Sequence, residues 1–225
     1  MPIDLTLVQK IAVWALPVVF AITVHEAAHG YVARALGDRT AESLGRLSLN
    51  PLRHIDPVGT VIVPGILLVL GGFLFGWAKP VPVDYRNLRS PRRDMAIVAA
   101  AGPASNALMA LAWGLLLKLA MSMPQAEGLW LGLRYMAVAG IFINIVLMVL
   151  NLLPLPPLDG GRVLAGLLPA RAAYGLARIE PYGLVILVIL LATGILGKLM
   201  YWPLALSEFA LYSLLGLSGS QVLLP

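Results

Sequence analysis

The chain has no cysteine and only three histidines in 225 residues. The first absence excludes a disulfide framework and any thiolate-bound metal. The second makes the position of each imidazole informative. Charge is scarce too: 12% of residues are Asp, Glu, Lys or Arg, against 60% hydrophobic, with a mean hydropathy of +0.88. A water-soluble domain of this length cannot hide that much apolar surface. The sequence also lacks an internal repeat, a low-complexity tract and a typical signal peptide. Its first apolar run continues through His25, so cleavage after it would discard that residue. The net charge of +5 could suggest nucleic acid. In a chain this apolar, basic loops facing the cytoplasm account for it, and no nucleic-acid partner is expected.

What is present reads as a single membrane-embedded domain over residues 1–225, with no room for an appended soluble domain. The fold class expected is an all-α polytopic helical bundle of about five or six segments at roughly 20 residues each. Leu7–Leu36 reads as the first helix, with Gly37 as its C-cap. A polar stretch follows from Asp38 to Asp56. Val58–Gly76 is apolar but broken by Pro64, Gly65, Gly71 and Gly72, and Trp77–Val83 carries Pro80 and Pro82, which forbid regular helix. Met95–Met121, Leu129–Leu153 and Pro181–Met200 read as further spans; Leu204–Leu217 either spans or lies at the interface. The core is expected at about 7–165, with accessory helices at about 178–218.

The basic stretches 39–53 and 79–93 flank Val58–Gly76. Were that segment to cross, they would lie on opposite faces, against the positive-inside tendency. A re-entrant or extended segment around 58–83 keeps both in the cytoplasm. Non-helical backbone is tolerated at membrane depth where it is buried in protein or lines a cavity.

His25-Glu26-Ala27-Ala28-His29 stands inside the first apolar run. On a helix, positions four apart share a face, so one metal ion can bind both imidazoles. H-E-x-x-H is the zinc metalloprotease signature, two ligands and a general base. Ionisable groups at membrane depth are costly and usually functional. Zinc needs a third ligand, and Asp159, His54, Asp56 and Glu42 are the candidates. Asp159 follows a Pro-rich break and precedes two glycines. His54 suits zinc chemically but lies in a basic loop. Asn151, eight residues before Asp159, could donate a hydrogen bond to a developing oxyanion. Asn106 is equally well read as a link between helices.

The segments His25–His29, Gly102-Pro103-Ala104-Ser105-Asn106 and Asn151-Leu152-Leu153-Pro154 through Leu158-Asp159-Gly160 carry a resemblance. Leu49–Pro57 and Gly76–Val83 support it. Together they resemble the site-2 proteases, intramembrane zinc metalloproteases, in a compact bacterial form without a PDZ domain. The resemblance implies one zinc per chain on His25, His29 and Asp159, Glu26 as base, and Asn151 assisting. It further implies transmembrane protein segments as substrates and a multi-pass location in the cell membrane. On the topology above, the site faces the cytoplasmic side. Trp77–Val83 could pair as an added strand with unwound substrate through the amides of Val81 and Val83. Two alternatives stay open: a membrane zinc hydrolase acting on a lipid or other non-peptide amide, and a non-catalytic scaffold or metal transporter.

Overall fold

The computed structural model describes residues 6–62, 78–123 and 128–217. Among them every regular element is helical: α1 (Leu7–Ala35), α2 (Thr40–Ser43), α3 (Pro91–Met121), α4 (Leu129–Asn151), α5 (Asp159–Leu167), α6 (Ala170–Ala177), α7 (Glu180–Ala192) and α8 (Ile195–Leu215). Short 3-10 turns occur at Pro51–Arg53 and Tyr85–Asn87, and a π-helical turn at Pro57–Ile62.

Helix α1 starts on a reciprocal cap. The Thr6 hydroxyl accepts the Gln9 N–H, and the Gln9 side-chain oxygen accepts the Thr6 N–H. It ends at Leu36, followed by Gly37 at φ +116°, a conformation glycine adopts without penalty. Helix α3 starts with Pro91 in its first turn, where a missing N–H costs nothing, four residues before the expected start. Helices α1, α3 and α4 are each long and apolar enough to cross a membrane. The pair α6 and α7, bent by 62°, gives a fourth crossing if counted as one span. The expected span Pro181–Met200 is not one helix. It breaks at Thr193 and Gly194, where Gly194 takes a left-handed conformation, and α8 then runs through the region expected to begin at Leu204.

Helices in lipid gain little from hydrophobic exclusion and associate through close packing on small residues. Gly140 of α4 lies directly under the Trp113 ring of α3, and Gly114 of α3 under Leu215 of α8. Ile141, Ile145 and Val149 of α4, Leu117 of α3, Leu187 of α7 and Met200 of α8 form one apolar cluster that continues from these contacts along α4.

The other end of the bundle is polar. Asp38, just past α1, is almost fully buried and accepts from Thr40, the Asp84 N–H (2.8 Å) and the Asn87 amide (3.1 Å). The Arg89 N–H donates to the Leu36 carbonyl, and the Lys79 N–H to the His54 carbonyl. Arg46 donates to the carbonyls of Lys79 and Pro80. These bonds hold residues 38–57 and 78–90 against each other, so both basic stretches occupy one end of the bundle. Any re-entrant path through 63–77, and Trp77 itself, lie outside the described residues.

Candidate metal centre

Three ligand-type atoms converge at the junction of α1, α3 and α5. His25 Nε2 and His29 Nε2 lie 3.2 Å apart, and Asp159 Oδ2 lies 3.1 Å from the first and 3.3 Å from the second. All three side chains are buried. The i, i+4 spacing on α1 stacks the imidazoles on one face. Asp159 reaches them because the chain turns sharply after α4. Gly160 and Gly161 lie so close to the backbone of Leu152, Leu153 and Leu155 that a Cβ at either would collide with it. The two glycines therefore let α5 start tight against the end of α4, with Asp159 in its first turn.

The other ring nitrogens define the protonation pattern. His29 Nδ1 faces the Val98 carbonyl at 2.8 Å, and His25 Nδ1 faces Asn106 Oδ1 at 2.6 Å. Both partners only accept, so both Nδ1 atoms carry a hydrogen, and each ring in its neutral form presents the Nε2 lone pair. A third acceptor faces them: Asp159 Oδ2 is buried and has no hydrogen-bond partner. Three acceptors aimed at one point repel unless a cation, a proton or a metal ion, lies among them. With Zn–N near 2.05 Å, tetrahedral ligands sit about 3.3 Å apart, close to the spacing seen. Gly102 of α3 supplies the room: a Cβ there would lie 2.5–2.6 Å from atoms of both imidazoles. The residues fit a tetrahedral metal.

Glu26, half-buried next to His25, accepts the Val81 N–H on Oε2 at 2.8 Å. This corrects one expectation about the segment after Trp77. Residues 78–84 are irregular, but the Val81 amide turns inward to the carboxylate and is not offered to a substrate strand. Asn151 is not brought to the cluster; its amide donates to the Leu147 carbonyl one turn back in α4.

The other candidate ligands are employed elsewhere. His54 is buried, with Nε2 donating to the Ser48 carbonyl. Asp56 accepts the amides of Val58 and Gly59, and Glu42 pairs with Arg34. Burial alone would raise the pKa of Asp38, but hydrogen bonds from Thr40, Asn87 and the Asp84 amide hold it below the usual carboxylate range.

Sequence reasoning missed one polar residue at the site. Asn144 is fully buried in α4 and accepts the Asn106 amide at 2.9 Å. The signal was an asparagine within the apolar run 129–153, seven residues before Asn151 and so on nearly the same helix face.

Residues 120–193 match the family model described as Peptidase family M50. That stretch contains Asp159 and Asn151 but not the His25–His29 motif. Longer matches span most of the chain. YwhC of Bacillus subtilis, whose name assigns it provisionally as a zinc metalloprotease, is 40% identical over 188 residues, 83% of this chain and 82% of its own. Rip2 of Mycolicibacterium smegmatis, named in the same way, is 33% identical over 81% of this chain and 69% of its own. Rip2 of Mycobacterium tuberculosis strain H37Rv is 30% identical over 89% and 74%. No solved structure matches the chain.

Proposed function

The chain belongs to peptidase family M50, the site-2 proteases, and from that membership and the His25–His29–Asp159 cluster we propose an intramembrane zinc metalloprotease. The convergence of three ligand atoms, two imidazole nitrogens and a carboxylate oxygen, on one buried point carries the reading. His25, His29 and Asp159 would hold one zinc per chain. Bound there, zinc lowers the pKa of a water and polarises a carbonyl.

Glu26, beside His25, would be the group that takes a proton from the attacking water and returns it to the leaving amine. The Val81 amide fixes Oε2 and with it the direction of Oε1. Asn151 supplies a hydrogen bond to the oxyanion after a side-chain rotation that releases Leu147. Both basic stretches lie at the site's end of the bundle, which supports an active site open to the cytoplasm. Labelling of single cysteines at Ser43 and Asn87 from the periplasmic side would contradict that orientation.

The substrates are membrane-spanning protein segments, locally unwound so that a carbonyl is exposed. The domain comprises a core of about 7–165 and accessory helices beyond. A metal transporter would carry ligand groups along several spans. Among the described residues His25, His29 and Asp159 form the one such group, which favours an enzyme.

The test pairs zinc analysis with cleavage of a single-span membrane protein. Glu26→Gln keeps its zinc and loses a factor of about 10²–10⁴ in kcat. Asp159→Ala loses zinc and activity together. Hydrolysis of a lipid amide in place of peptide by the wild type, or near-normal proteolysis by Glu26→Gln, would overturn the reading.

A further inference from the structure

We infer that Asn144 is a positioning residue that decides, through Asn106, which nitrogen of His25 carries the hydrogen, and so whether Nε2 is bare toward the metal. The inference rests on the zinc reading of the cluster. It follows from a chain of forced orientations, each fixed by the one before.

The Gly140 carbonyl can only accept. It takes the Asn144 side-chain N–H at 2.8 Å, one turn back along α4. That leaves Asn144 Oδ1 facing Asn106, 2.9 Å away, so Asn106 must present its amino group there. Asn106 Oδ1 then has one place to go, His25 Nδ1 at 2.6 Å. An oxygen there requires the hydrogen on Nδ1 and leaves Nε2 bare toward Asp159 and His29. Both asparagines are 0% exposed, so water cannot substitute for a lost partner.

Rotating the Asn106 amide by 180° would put its N–H₂ against His25 Nδ1. The ring would then carry its hydrogen on Nε2, the nitrogen a metal needs. The two orientations are nearly identical in shape, so packing alone does not choose between them. Two acceptors do: Asn144 Oδ1, and more weakly the Ala21 carbonyl at 3.3 Å. That carbonyl also accepts in the α1 ladder. Its presence means that loss of Asn144 weakens the preference without abolishing it.

His29 is the internal control. Its Nδ1 is held by the Val98 backbone carbonyl, which no side-chain substitution rotates. Asn144 therefore acts on one imidazole of the pair and not on the other.

The experiment uses the full chain in detergent, ¹⁵N-labelled at histidine and stripped of metal, at a pH of about 8.5, where imidazoles are neutral. With only three histidines, the resonances are assigned by His54→Gln and His25→Gln, which together leave His29. In the wild type, His25 and His29 both show the Nδ1–H tautomer. In Asn144→Leu, His25 becomes a mixture while His29 stays unchanged. Zinc affinity falls by about 10–100-fold, the range for losing an outer-shell partner. Asn144→Asp still accepts from Asn106 in either protonation state, so it keeps the tautomer and stays within about threefold of wild-type affinity. If Asn144→Leu does not fold, Asn144→Ala is read in the same way.

An unchanged His25 in the folded variant, or His25 and His29 shifting together, would reduce Asn144 to a packing residue and overturn the inference. A selective His25 shift in a protein that binds no zinc in any form would uphold the relay and sink the metal reading.

Discussion

Around His25 and His29, α1, α3, α4, α5 and two loops meet through buried polar groups, each holding the next in one orientation. Around Trp113 and Leu215, α3 and α4 meet each other and α8 through apolar side chains laid on glycines. The first kind of contact specifies geometry, because every donor and acceptor must be matched and a mismatch in a dry interior is costly. The second specifies only distance. A metal site needs the first kind, since an imidazole turned the wrong way packs just as well and binds nothing. Polar residues are expensive in a membrane bundle, and this chain gathers its buried ones at the end that carries the chemistry.

The sharpest way to break this contrast uses glycine, which serves at both ends for different reasons. At Gly102 the missing Cβ leaves the space between the imidazoles. Gly102→Ala puts a methyl 2.5–2.6 Å from atoms of both rings. Overpacking of this kind costs about 1–3 kcal/mol, and here it also pushes the ligands apart. Zinc affinity should fall by more than the roughly 10–100-fold expected for an outer-shell lesion. Equilibrium dialysis against zinc reads this directly. Wild-type affinity in Gly102→Ala would mean that α3 does not bound the metal space.

What could be read from the sequence divides along the same line. His25, Glu26 and His29 were legible because one helical turn brings them together. Asp159 was one of four candidates on its residues alone; the resemblance selected it, and the structure brings it to the two imidazoles. The shared side of the two basic stretches followed from their charge alone. Asn144 was not legible. Its partner is 38 residues away on another helix, and nothing local distinguishes an orienting asparagine from one that merely links helices. The Val81 amide was read with the wrong direction, because a backbone N–H leaves no trace in the sequence of where it points. The break at Gly194 was missed because hydropathy runs on across it, and one glycine in a left-handed turn hardly changes the average.

A smaller effect is expected at Asp38, which belongs to the polar end but lies away from the metal. Its carboxylate accepts hydrogen bonds that tie the end of α1 to residues 84 and 87. Asp38→Asn turns a donor toward one of those donors and should destabilise by about 1–3 kcal/mol at neutral pH. The pH dependence has a definite sign. The folded-state pKa is depressed, so the contribution is complete above the unfolded value, near 3.9. It is lost as pH falls through the lower folded value. The stability gap between wild type and variant should therefore narrow as the pH is lowered from about 5 toward 2.5. Denaturation midpoints of the metal-free proteins in detergent follow it. A gap that stays constant would show that the carboxylate's charge plays no part in the tie.

The smallest effect should come from an exposed position on α8, and its sign should be reversed. Gly197 lies in the first turns of α8, exposed, and a Cβ built there meets nothing within 4 Å. Its φ is not in the left-handed region, in contrast to Gly194 three residues earlier. With no collision and no special backbone, the remaining term is the entropy that glycine loses when fixed in a helix. Alanine at such a position gains about 0.5–1 kcal/mol. Gly197→Ala should raise the melting temperature in detergent slightly and leave zinc content and proteolysis unchanged. Set beside Gly102→Ala, one added methyl then stabilises on an exposed helix face and expels the metal at the site. Loss of zinc or activity in Gly197→Ala would mean that α8 is coupled to the site, and that the two ends are not independent parts of the bundle.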